Sequence, residues 1–198
     1  ENIIWALSES VVIDGDNAIC CPFGTKASVV ALDKKTGSLV WAAESTVELA
    51  AERAAQKAAE NGDETTKKKK ASNEKAGYAT VSIVKFAGRR MILAMSGQAL
   101  VGVDADKGEL LFHYGHETKY DVNATQPIFK DGMVFITSGY GAGSEMVKLT
   151  ASGEKITAEQ AWETKDLDNH HGGVILLDGY LYGADMKRSW ICLDWETG

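Results

Sequence analysis

The sequence predicts an all-β fold of repeated antiparallel sheets, and three observations support this prediction. Four apolar runs are each interrupted by a short turn that contains glycine. The turn glycines recur at a nearly constant interval, and a second short motif follows the hairpins. The chain also has 20 glycines but only 2 prolines, which suits many tight turns better than a disordered linker. Its 198 residues, 44% of them hydrophobic, are enough to bury a core.

The four hairpins share one design, in which glycine supplies the positive φ that a two-residue turn requires. Their strands are residues 11–13 and 18–21, 81–86 and 89–94, 127–129 and 133–136, and 174–177 and 180–182. The turn glycines are Gly15, Gly88, Gly132 and Gly179, separated by 73, 44 and 47 residues. A period of about 40–50 residues with four strands per unit is typical of β-propeller blades. The chain therefore contains about four blades.

The first interval is too long because it contains an insertion, which we assign to residues 45–76. Its first half, 47–60, is rich in Ala, Glu and Lys, and predicts a short exposed helix. Ser45 and Glu48 have the spacing of a capping box at the start of this helix. The second half contains the run Lys67–Lys70, which could attract an anionic partner. A solvated loop tip is the interpretation that we favour for this run.

A second motif follows each hairpin, and it combines an Asp, a Gly and an aromatic residue. The first copy is ALDKKTGSLVW at 31–41, the second is GVDADKGELLF at 102–112, and the fourth is CLDWETG at 192–198. The third copy, VKLTASG at 147–153, is looser and has its Trp162 after a longer gap. Asp begins the turn and Gly closes it. The aromatic residue on the next strand then packs between neighbouring blades.

This motif closely resembles the tryptophan-docking repeat of quinoprotein propellers, A-x-D-x-x-T-G-x-x-x-W. The likeness covers nearly the whole chain apart from the insertion, and it is strongest to the polyvinyl-alcohol-dehydrogenase-like and outer-membrane-assembly-lipoprotein-like proteins with repeats of the pyrroloquinoline quinone (PQQ) type. It implies a ring of seven or eight blades, so that residues 1–198 are part of a propeller. Additional sequence or a second chain would supply the other blades. The resemblance also implies a periplasmic or secreted location.

The most polar segments precede the first strand of each blade, where the innermost strands of such propellers reach the mouth of the central channel. These segments are 8–10, 77–80, 123–126 and 169–173, and their convergence predicts a pocket. The candidate ligand-binding residues are Glu9, Tyr78, Asn123, His170 and His171. Comparable Glu-Ser, Ala-Gly-Tyr and His-His-Gly-Gly segments occur in the polyvinyl-alcohol-dehydrogenase-like group. Adjacent histidines on a strand point to opposite faces, so we predict no metal site.

Two other motifs receive structural interpretations. The chain has three cysteines, an odd number, and the fold therefore does not depend on a disulfide framework. Some quinoprotein alcohol dehydrogenases carry a vicinal disulfide beside the quinone, but Cys20 and Cys21 lack its surrounding sequence, and we interpret them as buried thiols. The segment Tyr140–Gly143 is glycine-rich, yet no Lys-Ser/Thr pair follows it. We interpret this segment as a loop between strands rather than a phosphate site.

Three functions are compatible with these features. The favoured one is a non-catalytic propeller that binds a protein or small ligand at the channel mouth as a scaffold, with no cofactor, because no complete catalytic constellation is visible. The second is a PQQ-dependent alcohol dehydrogenase with calcium. The third is a glycan-binding module of a larger protein. The net charge of −7 argues against nucleic-acid binding, and no apolar run is long enough to span a bilayer.

Overall fold

Four antiparallel sheets follow one another along the chain in a computed structural model that describes residues 8–60 and 74–198. Each sheet has its strands in sequence order, as blades of a propeller do, and the predicted all-β class is confirmed. The first sheet contains β1 (Val12–Asp14), β2 (Asn17–Cys20), β3 (Val30–Asp33) and β4 (Leu39–Ala42). The second contains β5 (Ser82–Phe86), β6 (Arg89–Met95), β7 (Ala99–Asp104) and β8 (Leu110–Gly115).

The third and fourth sheets continue the same order. The third sheet contains β9 (Ile128–Lys130), β10 (Met133–Ser138), β11 (Gly143–Ser152) and β12 (Lys155–Thr164). The fourth contains β13 (Val174–Leu177), β14 (Tyr180–Ala184) and β15 (Trp190–Asp194). The four predicted hairpins are therefore β1–β2, β5–β6, β9–β10 and β13–β14. In the last three, both central turn residues have positive φ, as a type I′ turn requires, and the second is the predicted glycine.

The third copy of the second motif differs from the others for a visible reason. In the first copy, the carboxylate of Asp33 accepts hydrogen bonds from the backbone N–H groups of Lys35 and Thr36, at 3.0 and 2.7 Å. In the third copy, Leu149 occupies the position of this aspartate and cannot form such a turn. The chain continues instead as two ten-residue strands, β11 and β12, joined by a two-residue turn at Gly153.

Three hydrophobic cores lie between successive sheets, and the alternation of side chains along each strand creates them. Strand β6 shows this most clearly, because Met91–Met95 is a continuous apolar run that is buried on both faces of the sheet. Ile92 and Ala94 pack into the core shared with the first sheet. Met91, Leu93 and Met95 pack into the core shared with the third sheet. A third core joins the third and fourth sheets.

We call the packed interfaces between successive sheets seams. At two of these seams, a tryptophan packs against a turn glycine of the next sheet along the chain. A Cβ atom on Gly108 would lie 2.6 Å from Cε3 of Trp41, and one on Gly198 would lie 2.8 Å from Cε3 of Trp162. A Cβ atom on Gly153, the corresponding glycine of the third sheet, would meet no neighbouring atom. The aromatic residue of the second sheet, Phe112, packs instead against Gly102 in its own sheet. Glycine is therefore required at Gly108 and Gly198 both for its positive φ and for the close approach of an indole.

The helix of the insertion is α1 (Val47–Glu60), as the sequence predicts. Its start differs in detail from the predicted capping box. The Ser45 hydroxyl accepts a hydrogen bond from the N–H of Val47, at 3.3 Å, rather than from that of Glu48. The run Lys67–Lys70 lies outside the described residues. Within the described ranges, no helix is long and apolar enough to cross a membrane.

One face of the fourth sheet is apolar and exposed, whereas its other face packs against the third sheet. Trp190 on this exposed face has 85% of its surface accessible, and Ile175 has 68%. Cross-strand pairing places Ile175, Tyr182 and Cys192 side by side, so these residues share the face. Large apolar faces of this kind are surfaces for further packing.

Candidate functional site

The four predicted mouth segments converge, because direct hydrogen bonds link each of them to the next. The N–H of Ser10 donates to the Thr80 hydroxyl, at 3.1 Å. The N–H of Tyr78 donates to the carbonyl of Asn123, at 3.0 Å. The Thr125 hydroxyl donates to the side-chain oxygen of Asn169, at 2.7 Å.

The inner strands that follow these segments line an open groove. Residues of all four sheets contribute to its wall, among them Ile13, Ile83, Pro127 and Val174.

Glu9 and Tyr78 attach the first two mouth segments to the neighbouring sheets. The Glu9 carboxylate accepts a hydrogen bond from the N–H of Cys21, at 2.9 Å, and so ties the first mouth segment to the end of β2. Tyr78 is half-buried and packs against the core between the first two sheets. These contacts fix the first two mouth segments to the sheets.

Asn123 is fully buried, and its side chain links two sheets. Its amide nitrogen donates to the carbonyl of Ser96, at 2.7 Å, and to the carbonyl of His116, at 3.3 Å. Its amide oxygen must therefore face Ser138, whose hydroxyl donates to it. The side chain is satisfied from within the protein, and it positions the mouth rather than facing solvent.

The hydrogen bonds continue from Ser138 to two residues that sequence reasoning missed, His116 and Glu145. Nε2 of His116 lies 3.0 Å from the Ser138 hydroxyl, and Nδ1 lies 2.6 Å from the Glu145 carboxylate. Tyr114 also donates to this carboxylate, at 2.6 Å. Burial alone would raise the pKa of Glu145, but the hydrogen bond and charge of His116, together with Tyr114, hold that pKa below its ordinary value.

This series of contacts resembles a serine–histidine–carboxylate triad, but its hydrogen bonds give it a structural role. In a triad, the histidine accepts the proton of the serine. Here the Ser138 hydroxyl proton points to Asn123, so His116 must donate to Ser138. Ser138 is also fully buried. The arrangement therefore ties the second sheet to the third beneath the mouth.

His170 and His171 lie at the surface and belong to a row of aromatic rings that the sequence did not predict. The ring of His170 lies 4.3 Å from that of His171 and 4.7 Å from that of Tyr140, between centroids. The ring of Tyr140 lies 4.8 Å from that of Tyr120. We call Tyr120, Tyr140, His170 and His171 the aromatic row. Three different loops supply its members, which spacing within the repeat cannot reveal.

Tyr140 is held in an unusual backbone conformation. Its φ is +62°, a value that costs energy for any residue with a Cβ atom. The loop is fixed on both sides, because the Asp168 carboxylate accepts hydrogen bonds from Gly141 and Gly143, at 3.0 and 3.3 Å, and the Tyr140 N–H contacts the sulfur of Met186. The segment 140–143 is the predicted loop between strands, yet it carries an exposed ring in a fixed position.

His170 is partly buried within the row, and its surroundings favour the neutral imidazole. Burial lowers the pKa of His170, and the neighbouring His171 lowers it further, against the opposing charge of Asp168. At neutral pH the aromatic row therefore presents a neutral imidazole beside two phenol rings.

The cysteine pair has no feature of a redox site. Cys20 and Cys21 are free, and Cys21 is buried. Burial raises the pKa of both thiols, and the charge of Glu9 raises it further. Thiolates are the reactive form of cysteine, so the raised pKa disfavours that form at both positions. Cys21 is buried, as interpreted from the sequence, whereas Cys20 is half-buried, which corrects that interpretation for Cys20.

The described residues do not fit a PQQ–calcium site. Calcium requires several oxygen ligands in one place. Among the described residues that line the open groove, Asp14 is the one carboxylate, and Arg90 pairs with it. Residues 8–60 and 74–198 contain no group of three His, Cys, Asp or Glu side chains placed to hold a metal ion.

The comparison with protein families gives one result that agrees with this architecture. Residues 5–198 match the model of the family described as outer membrane protein assembly factor BamB. A comparison with curated proteins finds no match. The match covers almost the whole chain and spans all four sheets, as the repeated turns and docked tryptophans do. The chain therefore belongs to the BamB family of PQQ-like repeat proteins.

Proposed function

We propose that this chain is a non-catalytic propeller segment that binds a ligand or partner at the mouth of its central channel. The observation that carries the proposal is the aromatic row, which is exposed at the mouth while buried polar contacts fix the loops beneath it. Exposed aromatic side chains on rigid loops are typical of binding surfaces, because a rigid ring loses little entropy on binding. His170 and His171 are the predicted residues that reach this surface.

The remaining predicted residues have a supporting role in this proposal. Glu9 fixes the first mouth segment, Tyr78 packs into a core, and Asn123 joins two sheets. Their contribution to binding is therefore indirect, through the position of the loops. The description of the family as an outer-membrane assembly factor supports an extracytoplasmic location and protein partners as part of the proposal.

Hydrogen exchange on the complete protein tests this function. Candidate partners should protect the loops at 116–121, 139–143 and 168–172, and should leave the hairpin turns at the opposite ends of the strands unchanged. Titration with PQQ and calcium should give neither a quinone spectrum nor dye reduction with alcohols. Bound quinone with alcohol-dependent dye reduction would replace this proposal with the dehydrogenase.

The exposed face of the fourth sheet suggests a second contact of the scaffold. We propose that another sheet of the same repeat packs on this face, as the fourth sheet packs on the third. Additional sequence or a second copy would supply that sheet. Sedimentation distinguishes the two sources, since a dimer of this chain that dissociates with Trp190→Glu identifies a second copy.

A further inference from the structure

We propose that the aromatic row binds a neutral glycan chain, with successive sugars against the rings of Tyr120 and Tyr140. This inference rests on the proposed binding function of the mouth and names the class of its ligand.

The row presents an extended surface rather than a closed pocket. Its four rings follow one another at centroid separations of 4.8, 4.7 and 4.3 Å, and neighbouring rings are inclined by 86°, 74° and 55°. The row crosses from the connection before the third sheet to the connection before the fourth. Tyr120 is 49% exposed and Tyr140 is 36% exposed. Such a surface suits a chain molecule that lies across several loops better than a compact ligand.

The rings combine apolar faces with polar edges, which is the chemistry that a sugar requires. A pyranose has patches of C–H groups surrounded by hydroxyls, so it can lie on an aromatic ring and form hydrogen bonds at its rim. The phenol groups of Tyr120 and Tyr140 and the imidazole of His171 supply donors and acceptors of this kind.

Charge argues for a neutral ligand. The net charge of −7 disfavours polyanions, and therefore nucleic acid and acidic glycans. The Asp168 carboxylate beside the row is committed to the backbone N–H groups of Gly141 and Gly143. The ammonium group of Lys119 lies over one face of the Tyr120 ring, 5.1 Å from its centroid.

Tyr140 and Gly141 are the central residues of a turn closed by a hydrogen bond from the N–H of Ala142 to the carbonyl of Gly139, at 3.3 Å, and both have positive φ. A left-handed conformation would be accommodated at lower cost by glycine, and Gly139 and Gly141 flank this position. The protein instead carries a tyrosine there and fixes the loop through Asp168 and Met186. The turn and these contacts therefore hold the exposed ring in a fixed position, so that it loses little entropy on binding.

Affinity gel electrophoresis tests the proposal with four soluble neutral polysaccharides: mixed-linkage β-glucan, xylan, glucomannan and dextran. At least one should retard the complete protein. Tyr140→Ala and Tyr120→Ala should each weaken binding to it by about tenfold, the effect of losing one well-placed aromatic contact. Tyr140→Phe should retain most of the binding. The matched control is Leu49→Ala, which removes an exposed apolar side chain from helix α1, away from both proposed surfaces, and it should leave binding unchanged.

Circular dichroism and thermal melting establish that each variant is folded. Retardation that persists in both Tyr140→Ala and Tyr120→Ala would overturn the glycan proposal. The glycan proposal would also be overturned if none of the four polysaccharides retards the protein while a proline-rich peptide or a protein partner protects the row in hydrogen exchange. That second outcome leaves the proposed binding function intact. If no class of partner protects the mouth in hydrogen exchange, both the glycan proposal and the proposed binding function would be overturned.

Discussion

Trp41 lies directly against Gly108 of the next sheet, and a Cβ atom at Gly108 would come within 2.6 Å of the indole. Gly108 also has a φ of +73°, so two separate constraints require glycine there. The contact joins the outer strand of one sheet to a turn of the following sheet. It therefore provides a way to measure how much each seam contributes to the stability of the fold.

Gly108→Ala should destabilise the protein more than Gly153→Ala. Both glycines have positive φ, +73° and +60°, but a Cβ at Gly153 meets open space. The backbone cost of about 1 kcal/mol applies to both variants, and displacement of Trp41 adds about 1–3 kcal/mol to the first. Urea unfolding of the two variants measures the difference. Equal losses of stability would show that the indole moves aside without cost.

The two docked tryptophans should respond differently to replacement by phenylalanine. Nε1 of Trp162 donates to the carbonyl of Trp195, at 3.2 Å, whereas Nε1 of Trp41 is buried and has no acceptor among the described residues. Trp162→Phe should therefore cost about 1 kcal/mol more than Trp41→Phe, since it alone removes a hydrogen bond. Denaturant midpoints at matched m-values provide the comparison. A larger loss for Trp41→Phe would contradict this assignment.

Glu145→Gln should lower the free energy of unfolding by about 3 kcal/mol, because it leaves His116 buried beside an uncharged partner. The exposed Glu196 offers a matched control, and Glu196→Gln should change stability by less than about 0.5 kcal/mol. Chemical denaturation at pH 7 gives both values. Similar losses in the two variants would contradict a structural role for the His116–Glu145 pair.

The same pair predicts a dependence of stability on pH. The pKa of Glu145 is lowered in the folded protein, so its contribution is present above the unfolded value of about 4.3 and is lost as the pH falls through the folded value. The stability difference between the wild type and Glu145→Gln should therefore be present at about pH 5 and shrink below about pH 4. Unfolding curves across this range measure it. A difference that grows on acidification would have the wrong sign.

Asn123→Ala should destabilise the protein by about 2–4 kcal/mol, because it leaves the buried carbonyls of Ser96 and His116 and the hydroxyl of Ser138 without this partner. Gln126→Ala removes an exposed amide that donates to one carbonyl, that of Val81, and should cost about 1 kcal/mol. Thermal unfolding of both variants tests the ranking. An Asn123→Ala protein as stable as Gln126→Ala would indicate that water replaces the lost side chain.

The fold could be predicted from the sequence because its signals are local. Hairpin glycines such as Gly88 and docking tryptophans such as Trp41 act within short segments, and their repetition gives the sheets. The aromatic row could not be predicted in this way. Tyr120 and Tyr140 lie in loops with different positions in the repeat, and only the packing of successive sheets brings their rings together. His116 and Glu145 were missed for the same reason, since 29 residues separate them in the chain.

The double burial of β6 limits where this protein can change length. Neighbouring residues between Met91 and Met95 belong to two different cores. One inserted residue would therefore move each following side chain of the strand from one core into the other. Insertions are therefore tolerated in the connections between sheets, and helix α1 lies in one of them, between β4 and β5. Packing between the sheets therefore determines where insertions and deletions are tolerated. A new segment in a connection at the mouth leaves the packing of the cores unchanged.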